Sequence, residues 1–331
     1  MSGIDVTVVI PVKNGGDCLD RTLTMLDCQK TEYSFEVVCI DSGSSDNTLA
    51  IVEKHKSQYP ERYIVKQILK EEFGHGKTRN LGASLGTGEF IMFLTQDATP
   101  YNDQWIQTFV DGMKMDKDIA GGFGKHYPYP ECDIFEAYSL NQFFEGFGKE
   151  NTIYKLDNTR YTSDEAYRHF VTFYSDNNSC MRRSVWEKTP YPDVDFAEDQ
   201  QWARTILEKG YKKLYCPGAA VFHSHSYPAK TYKKRFYDEY KSLYRLHGYK
   251  VVENRKQMFL AYIRTIRNDI GFLRKCELSG KETMKWLNYA IVKEWHRFHS
   301  GYLAGRYFGL NDVEKMRLDQ KMSQQIEQIK E

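Results

Sequence analysis

The feature that most constrains this chain is Val6-Thr7-Val8-Val9-Ile10-Pro11-Val12, a run almost wholly apolar and β-branched that ends in the polar Lys13-Asn14. An alternating strand can face water on one side. A continuous apolar run cannot, and suits a parallel strand buried on both faces of a sheet. The pattern then repeats. Leu19 to Leu26 carries apolar residues at helical spacing, Phe35 to Ile40 reads as a second strand, and Asp41-Ser42-Gly43 closes it. Strand, helix and strand make a βαβ unit. A helix start at Ser45-Asp46-Asn47-Thr48 leads into Leu49 to Tyr59. A third strand over Ile64 to Leu69, a turn at Gly74 to Asn80 into a helix over Leu81 to Gly86, and a fourth strand over Phe90 to Leu94 complete the first hundred residues. Asp41 and Asp97 thus follow the carboxyl ends of predicted parallel strands, the edge at which open α/β sheets bind ligands.

Residues 125 to 175, rich in Tyr, Phe and Pro with weak periodicity, read as an irregular, partly mobile cover. Glu198 to Gly210 reads as a helix, and a short strand over Ala219 to Phe222 leads to His223-Ser224-His225. Beyond Pro228 the pattern is helical: Phe259, Ile263, Ile266, Ile270 and Leu273 recur at spacings of three and four, as do Met284, Leu287, Ile291, Trp295 and Phe298. Ser279 with Glu282 makes a capping box for the second of these helices. The expected domains are 1–228 and a helical extension, 229–331. Charge divides the same way: the extension carries 22 Lys and Arg against 12 Asp and Glu, the preceding part 24 against 33.

The 331 residues suffice for one large α/β domain plus an appended segment. With 41% hydrophobic residues, 24 Tyr and 19 Phe, the chain can bury a substantial core, which excludes a disordered protein. Its seven cysteines are scattered without a CxxC pair, as in a reducing compartment, and exclude a disulfide framework. The N-terminal run lacks a basic region and a cleavage site, so it is expected to be a strand, not a signal peptide. No apolar run reaches the roughly 18–20 residues of a membrane span. The expectation is a cytoplasmic protein, soluble or peripheral at the inner face of the membrane.

Each candidate site residue has a chemical and a structural reading. Asp97 could hold a hard divalent cation or cap the turn before Pro100. Asp41 could accept from a base imide or a ribose hydroxyl, or serve an ordinary polar turn. Gly74-His75-Gly76-Lys77-Thr78-Arg79-Asn80 offers glycine N–H groups, two cations and a helix N-terminus to an anion, or is a tight turn with solvated cations. Glu198-Asp199, after Asp193-Val194-Asp195-Phe196, could supply a general base or merely favour a helix N-terminus. His223 and His225 could give imidazole to the cation at Asp97 or be satisfied polar residues.

Taken in order, Val8 to Asn14, Val38 to Thr48, the Gln96-Asp97 turn, Glu198-Asp199 and the His223 strand resemble the family-two glycosyltransferases over residues 5–227. Within that family, Phe73 to Ala83, Leu94 to Ala98 and Val221 to Tyr227 are similar to bacterial rhamnosyltransferases of cell-wall polysaccharide or O-antigen synthesis. The resemblance implies a GT-A fold, with a mainly parallel, Rossmann-like sheet, plus the C-terminal helical extension. It also implies an inverting transfer from dTDP-L-rhamnose to a lipid-linked saccharide acceptor. Pro11, Val12, Asn14 and Asp41 match positions at the base and ribose, with Gly76, Arg79 and Gln96 also at the donor nucleotide. Asp97 matches the second acid of the DxD signature, whose first acid is Thr95 here. Asp199 matches the general base, with Glu198 beside it at the acceptor hydroxyls, and His223 matches the metal-binding His, His225 being the reserve. The implied cofactor is Mg²⁺ or Mn²⁺.

The extension, where Lys230, Lys233, Lys234 and Arg235 interleave with Tyr232, Phe236, Tyr237 and Tyr240, suits an anionic bilayer; helix packing or a homodimer contact is the structural alternative. Competing readings are a UDP-sugar donor on the same fold, a nucleotidyltransferase, whose glycine-rich first loop Val12 to Gly16 renders poorly, and a nucleic-acid-binding protein. The acidic first 228 residues oppose the last.

Overall fold

The computed structural model describes residues 3–194 and 197–323. Asp195 and Phe196, in the acidic run before Glu198, and the tail beyond Ser323 lie outside those residues. The chain divides into two compact units, Met1–His225 and Ser226–Glu331.

The first unit runs β1 (Val6–Val12), α1 (Gly16–Asp27), β2 (Phe35–Asp41), α2 (Thr48–Gln58), β3 (Tyr63–Gln67), α3 (His75–Leu85), β4 (Phe90–Leu94), β5 (Thr99–Pro100), α4 (Trp105–Lys114) and β6 (Ile119–Tyr127). It continues with α5 (Ile134–Glu145), β7 (Thr152–Tyr154), α6 (Asn158–Ser163), α7 (Glu165–Thr172), β8 (Asn178–Arg182), α8 (Arg183–Trp186), α9 (Glu198–Glu208) and β9 (Lys212–Phe222). One nine-stranded sheet holds them, in the order β3-β2-β1-β4-β8-β6-β9-β5, with β7 also on β9.

β1 lies between β2 and β4, parallel to both. Val8, Val9 and Ile10 are fully buried, with Val8 and Ile10 in the core on one face and Val9 in the core on the other. That two-sided burial is why the strand reads as a continuous apolar run, and each such side chain contributes about 1.5–3 kcal/mol. Past β4 the sheet becomes mixed: β8 pairs antiparallel with β4 and β6, whereas β9 runs parallel to β6. The parallel, Rossmann-like character therefore holds for the first half only. The antiparallel insertion places the amino end of β8 beside the carboxyl ends of β4 and β6. One edge of the sheet thus collects the ends of β2, β1 and β4, the start of β8, and the ends of β6 and β9.

Two expectations change. The Gly74 to Asn80 stretch is helical from His75, not a turn. Gly76 lies in that helix, and a Cβ there would meet the Pro192 carbonyl oxygen at 2.5 Å and the Tyr191 Cβ at 3.2 Å, so glycine permits the helix to touch that backbone. Residues 125 to 175 hold three helices and a strand where an irregular cover was expected. Phe123, Phe144, Phe147, Phe173 and Tyr215 pack there with ring centroids mostly 5–6.5 Å apart. Packing of rings against one another needs no amphipathic period, which is why periodicity missed it.

The second unit comprises α10 (Tyr232–His247), α11 (Arg255–Leu273), α12 (Gly280–Tyr307) and α13 (Asp312–Met322). The Ser279-Glu282 capping box opens α12 as expected. Tyr237, Tyr240, Ala304 and Met322 form its small core. Tyr232, Tyr237 and Tyr240 are thus interior residues, where the sequence suggested a bilayer-facing row.

Candidate active site

Two clusters stand on the shared sheet edge. The first forms where β5 turns back on β9. Thr99 pairs with Phe222, which sets Asp97 next to the residues that follow β9. Tyr129 fastens the turn: its hydroxyl donates to the Asp97 carbonyl at 3.0 Å, and its N–H donates to the Ser224 hydroxyl at 3.0 Å. His223 Nε2 then stands 3.7 Å from one Asp97 oxygen and His225 Nε2 3.8 Å from the other. Those separations are too long for hydrogen bonds. With metal bonds of about 2.0–2.2 Å, ligands of one ion stand roughly 3–4 Å apart, and these three donor atoms all lie within 4.8 Å of one another. One carboxylate and two imidazoles therefore fit a divalent ion.

The second cluster forms around Arg79 of α3, which is only 4% exposed. Its Nη1 donates to Glu198 Oε1 at 3.1 Å, and its Nε stands 3.0 Å from Asp176 Oδ2. Asp176 lies two residues before β8, whose Asn178 pairs with Leu94, the residue that opens the Thr95-Gln96-Asp97 turn. The Asp176 N–H donates to Asp199 Oδ2 at 3.3 Å, and the Gln200 N–H to Asp199 Oδ1 at 2.7 Å. Ala197, just before the pair, adopts a left-handed φ of 60°, a conformation that costs a non-glycine residue about 1 kcal/mol or more.

Three carboxylates around one guanidinium cannot all be charged without repulsion. Burial, and then the charge of Asp176, push Asp199 up to about 8. Burial likewise raises Asp176 to about 7, against the pull of Arg79 and with the push of Glu198. Glu198 rises through burial, opposed by Arg79. Asp199, half-buried, thus has the basicity of a group that accepts a proton near neutral pH.

The remaining candidates line the loops after β1 and β2. Val12 is buried and its carbonyl accepts from the Ser42 N–H at 3.1 Å, while Pro11 is half-buried beside it. Asn14 has a left-handed φ of 48°, and its Oδ1 accepts from the Ser45 N–H at 2.8 Å. Asp41 is 2% exposed and accepts from the Gly43 and Ser44 N–H groups, so its carboxylate builds its own turn. Gln96 bonds the Lys13 backbone in both directions, accepting from its N–H at 2.9 Å and donating to its carbonyl at 3.0 Å. Gly76 and Arg79 sit in the acid cluster, where Arg79 meets carboxylates and not an open anion site.

The sequence missed Asp176. Ser175-Asp176-Asn177 reads as a polar turn, and the one available signal was its place just ahead of the apolar Cys180-Met181.

The pattern of glycosyl transferase family 2 matches residues 7–188, a span that includes Asn14, Asp41, Arg79, Asp97 and Asp176 and stops before Glu198. The O-antigen chain rhamnosyltransferase RfbN of Salmonella typhimurium is 30% identical over 236 residues, 70% of each chain. WbaN of Salmonella anatum, also an O-antigen chain rhamnosyltransferase, is 29% identical over 235 residues, again 70% of each. Among solved structures, the mannosyltransferase PcManGT of Pyrobaculum calidifontis, in complex with GDP-Man and Mn²⁺, superposes with a TM-score of 0.53 at 15% identity, over 96% of this chain and 79% of that one. TarS of S. aureus, in complex with UDP-GlcNAc, gives 0.52 at 16% identity, over 94% and 95%. The fold is therefore that of the GT-A glycosyltransferases.

Proposed function

The chain belongs to glycosyl transferase family 2 and is a glycosyltransferase, and from that premise we propose that it transfers L-rhamnose from dTDP-L-rhamnose, with inversion, to a hydroxyl of a lipid-linked saccharide in bacterial surface polysaccharide synthesis. The carrying observation is the gathering of Asp97, His223 and His225 on the same sheet edge as Asp176, Glu198 and Asp199. The likeness to two O-antigen chain rhamnosyltransferases supports the donor. Catalysis belongs to residues 1–228, and 229–331 is assigned to holding the protein at the cytoplasmic face of the membrane. No helix among the described residues is long and apolar enough to cross it.

In this reading Pro11, Val12, Asn14 and Asp41 shape the seat of the base and ribose, and Gln96 holds that seat against the Asp97 turn. Asp97, His223 and His225 would hold the cation. Thr95 stands where the family pattern has a first acid, and His225 supplies the third donor in its stead. Two nitrogens and one carboxylate favour Mn²⁺ over Mg²⁺, which prefers oxygen ligands. A cation held there would supply positive charge against the leaving diphosphate. Asp199 takes the proton of the acceptor hydroxyl, whose oxygen bonds to the anomeric carbon on the face opposite the breaking bond to the diphosphate. Glu198 and Arg79 hold Asp176, and Asp176 holds Asp199.

A donor panel tests this: purified protein, a synthetic lipid-linked acceptor and each nucleotide sugar in turn, with nucleoside diphosphate release as the readout. Turnover of dTDP-L-rhamnose is expected. Turnover of a UDP-hexose with dTDP-L-rhamnose inert would overturn the donor and leave the fold and mechanism standing.

A further inference from the structure

Within the second unit α11 packs against α12. Met258, Ala261 and Tyr262 face α12, where Tyr262 packs on Trp295 at 5.7 Å and its hydroxyl donates to the Ile291 carbonyl at 3.3 Å. Asp269 lies on the same side, within electrostatic reach of Lys293, Glu294 and Arg297. A helix turns about 100° per residue. Phe259, Ile263, Ile266 and Ile270 therefore form a flank beside that packed face, and Lys256, Arg264, Arg267 and Arg274 point away from α12. The apolar flank is only partly covered: Phe259 is 55% exposed, Ile263, Ile266 and Ile270 are half-buried, and Trp295, adjoining the flank through Tyr262, is 40% exposed.

Charge decides what covers it. Residues 255–275 carry six Lys and Arg against the single acid Asp269. A two-fold pairing of α11 with a second copy would set this surface against itself. An anionic bilayer meets it with opposite charge and accepts apolar rings at the headgroup boundary. We propose that α11 lies along an anionic membrane surface, its Phe259, Ile263, Ile266 and Ile270 flank immersed together with Trp295 and its basic side among the headgroups. The cationic start of α10 is a poorer anchor, because Tyr232, Tyr237 and Tyr240 are buried and leave it no apolar row to insert. This surface would serve the membrane role that the proposed function gives to residues 229–331, and its assignment rests on that reading.

The test is sedimentation of the full chain with vesicles of phosphatidylglycerol in phosphatidylcholine, and of phosphatidylcholine alone, each variant first checked for a wild-type melting curve. The wild type is expected to bind the anionic vesicles alone and to release with salt. Arg264→Glu with Arg267→Glu, and separately Phe259→Glu, are expected to weaken binding by about tenfold or more, and Lys233→Glu with Lys234→Glu by about twofold at most. Absence of wild-type binding, binding indifferent to the α11 variants, or a dimer abolished by Phe259→Glu in sedimentation velocity overturns the proposal. Hydrolysis of the nucleotide sugar without vesicles separates the two readings: if it persists while vesicle binding is absent, the docking surface fails and the catalytic assignment survives.

Discussion

The two clusters on the sheet edge are built on opposite principles. Around Arg79 the carboxylates of Asp176 and Glu198 stand in ion-pair contact, at 3.0 and 3.1 Å. Around Asp97 the donors stand 3.7 and 3.8 Å apart, spaced for an ion between them. The first cluster is closed by charged contacts; the second is fastened through the Tyr129 bonds to the Asp97 carbonyl and the Ser224 hydroxyl. Substitutions should therefore separate the two, stability answering at the first and cation response at the second.

The largest expected effect is at Asp199. Asp199→Asn should cut turnover by about 10²–10⁴-fold, the range for removal of a general base, while donor binding is kept. It should also melt at or above the wild-type temperature at pH 8, because one of three crowded carboxylates is gone. Steady-state kinetics beside a melting curve check both, and near-normal turnover removes Asp199 from the role. Arg79→Met should follow, destabilising by about 3–5 kcal/mol because buried carboxylates lose their counter-charge; denaturant unfolding measures it. A loss below about 1 kcal/mol would place the cluster in solvent.

Asp97→Ala should leave the metal-free melting temperature unchanged and weaken Mn²⁺-dependent nucleotide binding by about tenfold or more. Calorimetric titration with and without Mn²⁺ tests this, and equal loss without the ion would sink the assignment. Gly76→Ala should destabilise by about 1–3 kcal/mol, since the new methyl group meets the Pro192 carbonyl. A neutral result would mean that α3 moves freely past that backbone.

Smallest and sharpest is the response to pH. Asp199 is raised to about 8, so turnover should climb as pH rises toward 8 and then level. Stability should run the other way. The folded chain keeps a proton that the unfolded chain, with an ordinary value of about 3.9, has released. This contribution is complete below about pH 4 and is lost as pH passes through 8. Asp176→Asn should move the activity midpoint to lower pH by removing the neighbouring charge. Profiles of rate and melting temperature against pH would show both slopes, and an unmoved midpoint would deny the coupling.

The Asp97 cluster was more legible in sequence than the Arg79 cluster. β1 and β4 match the expected runs residue for residue, and β2 ends one residue later at Asp41, because strands buried on both faces write themselves as unbroken apolar segments. Asp97 and His223 follow such strands and were visible for that reason. β8 is the counterexample. It is the short, mixed run Asn178 to Arg182, and its buried Asn178 is satisfied by Trp105 Nε1 and the Ala219 carbonyl, partners far away in the chain. Nothing local marks it as a strand, so Asp176 stayed hidden. Gly74 to Asn80 was misread as a turn for a similar reason: glycines that permit close helix packing look, in sequence, like glycines that make a loop.

The reciprocal amide bond between Gln96 and Lys13 ties the loop after β1 to the turn that carries Asp97. Those two segments, eighty-three residues apart, are one mechanical piece. A ligand that displaces the first loop must drag the carboxylate with it, so the fit of one end of a bound molecule is transmitted to the position of the other. Replacing Gln96 by Ala would uncouple them and leave both clusters chemically intact.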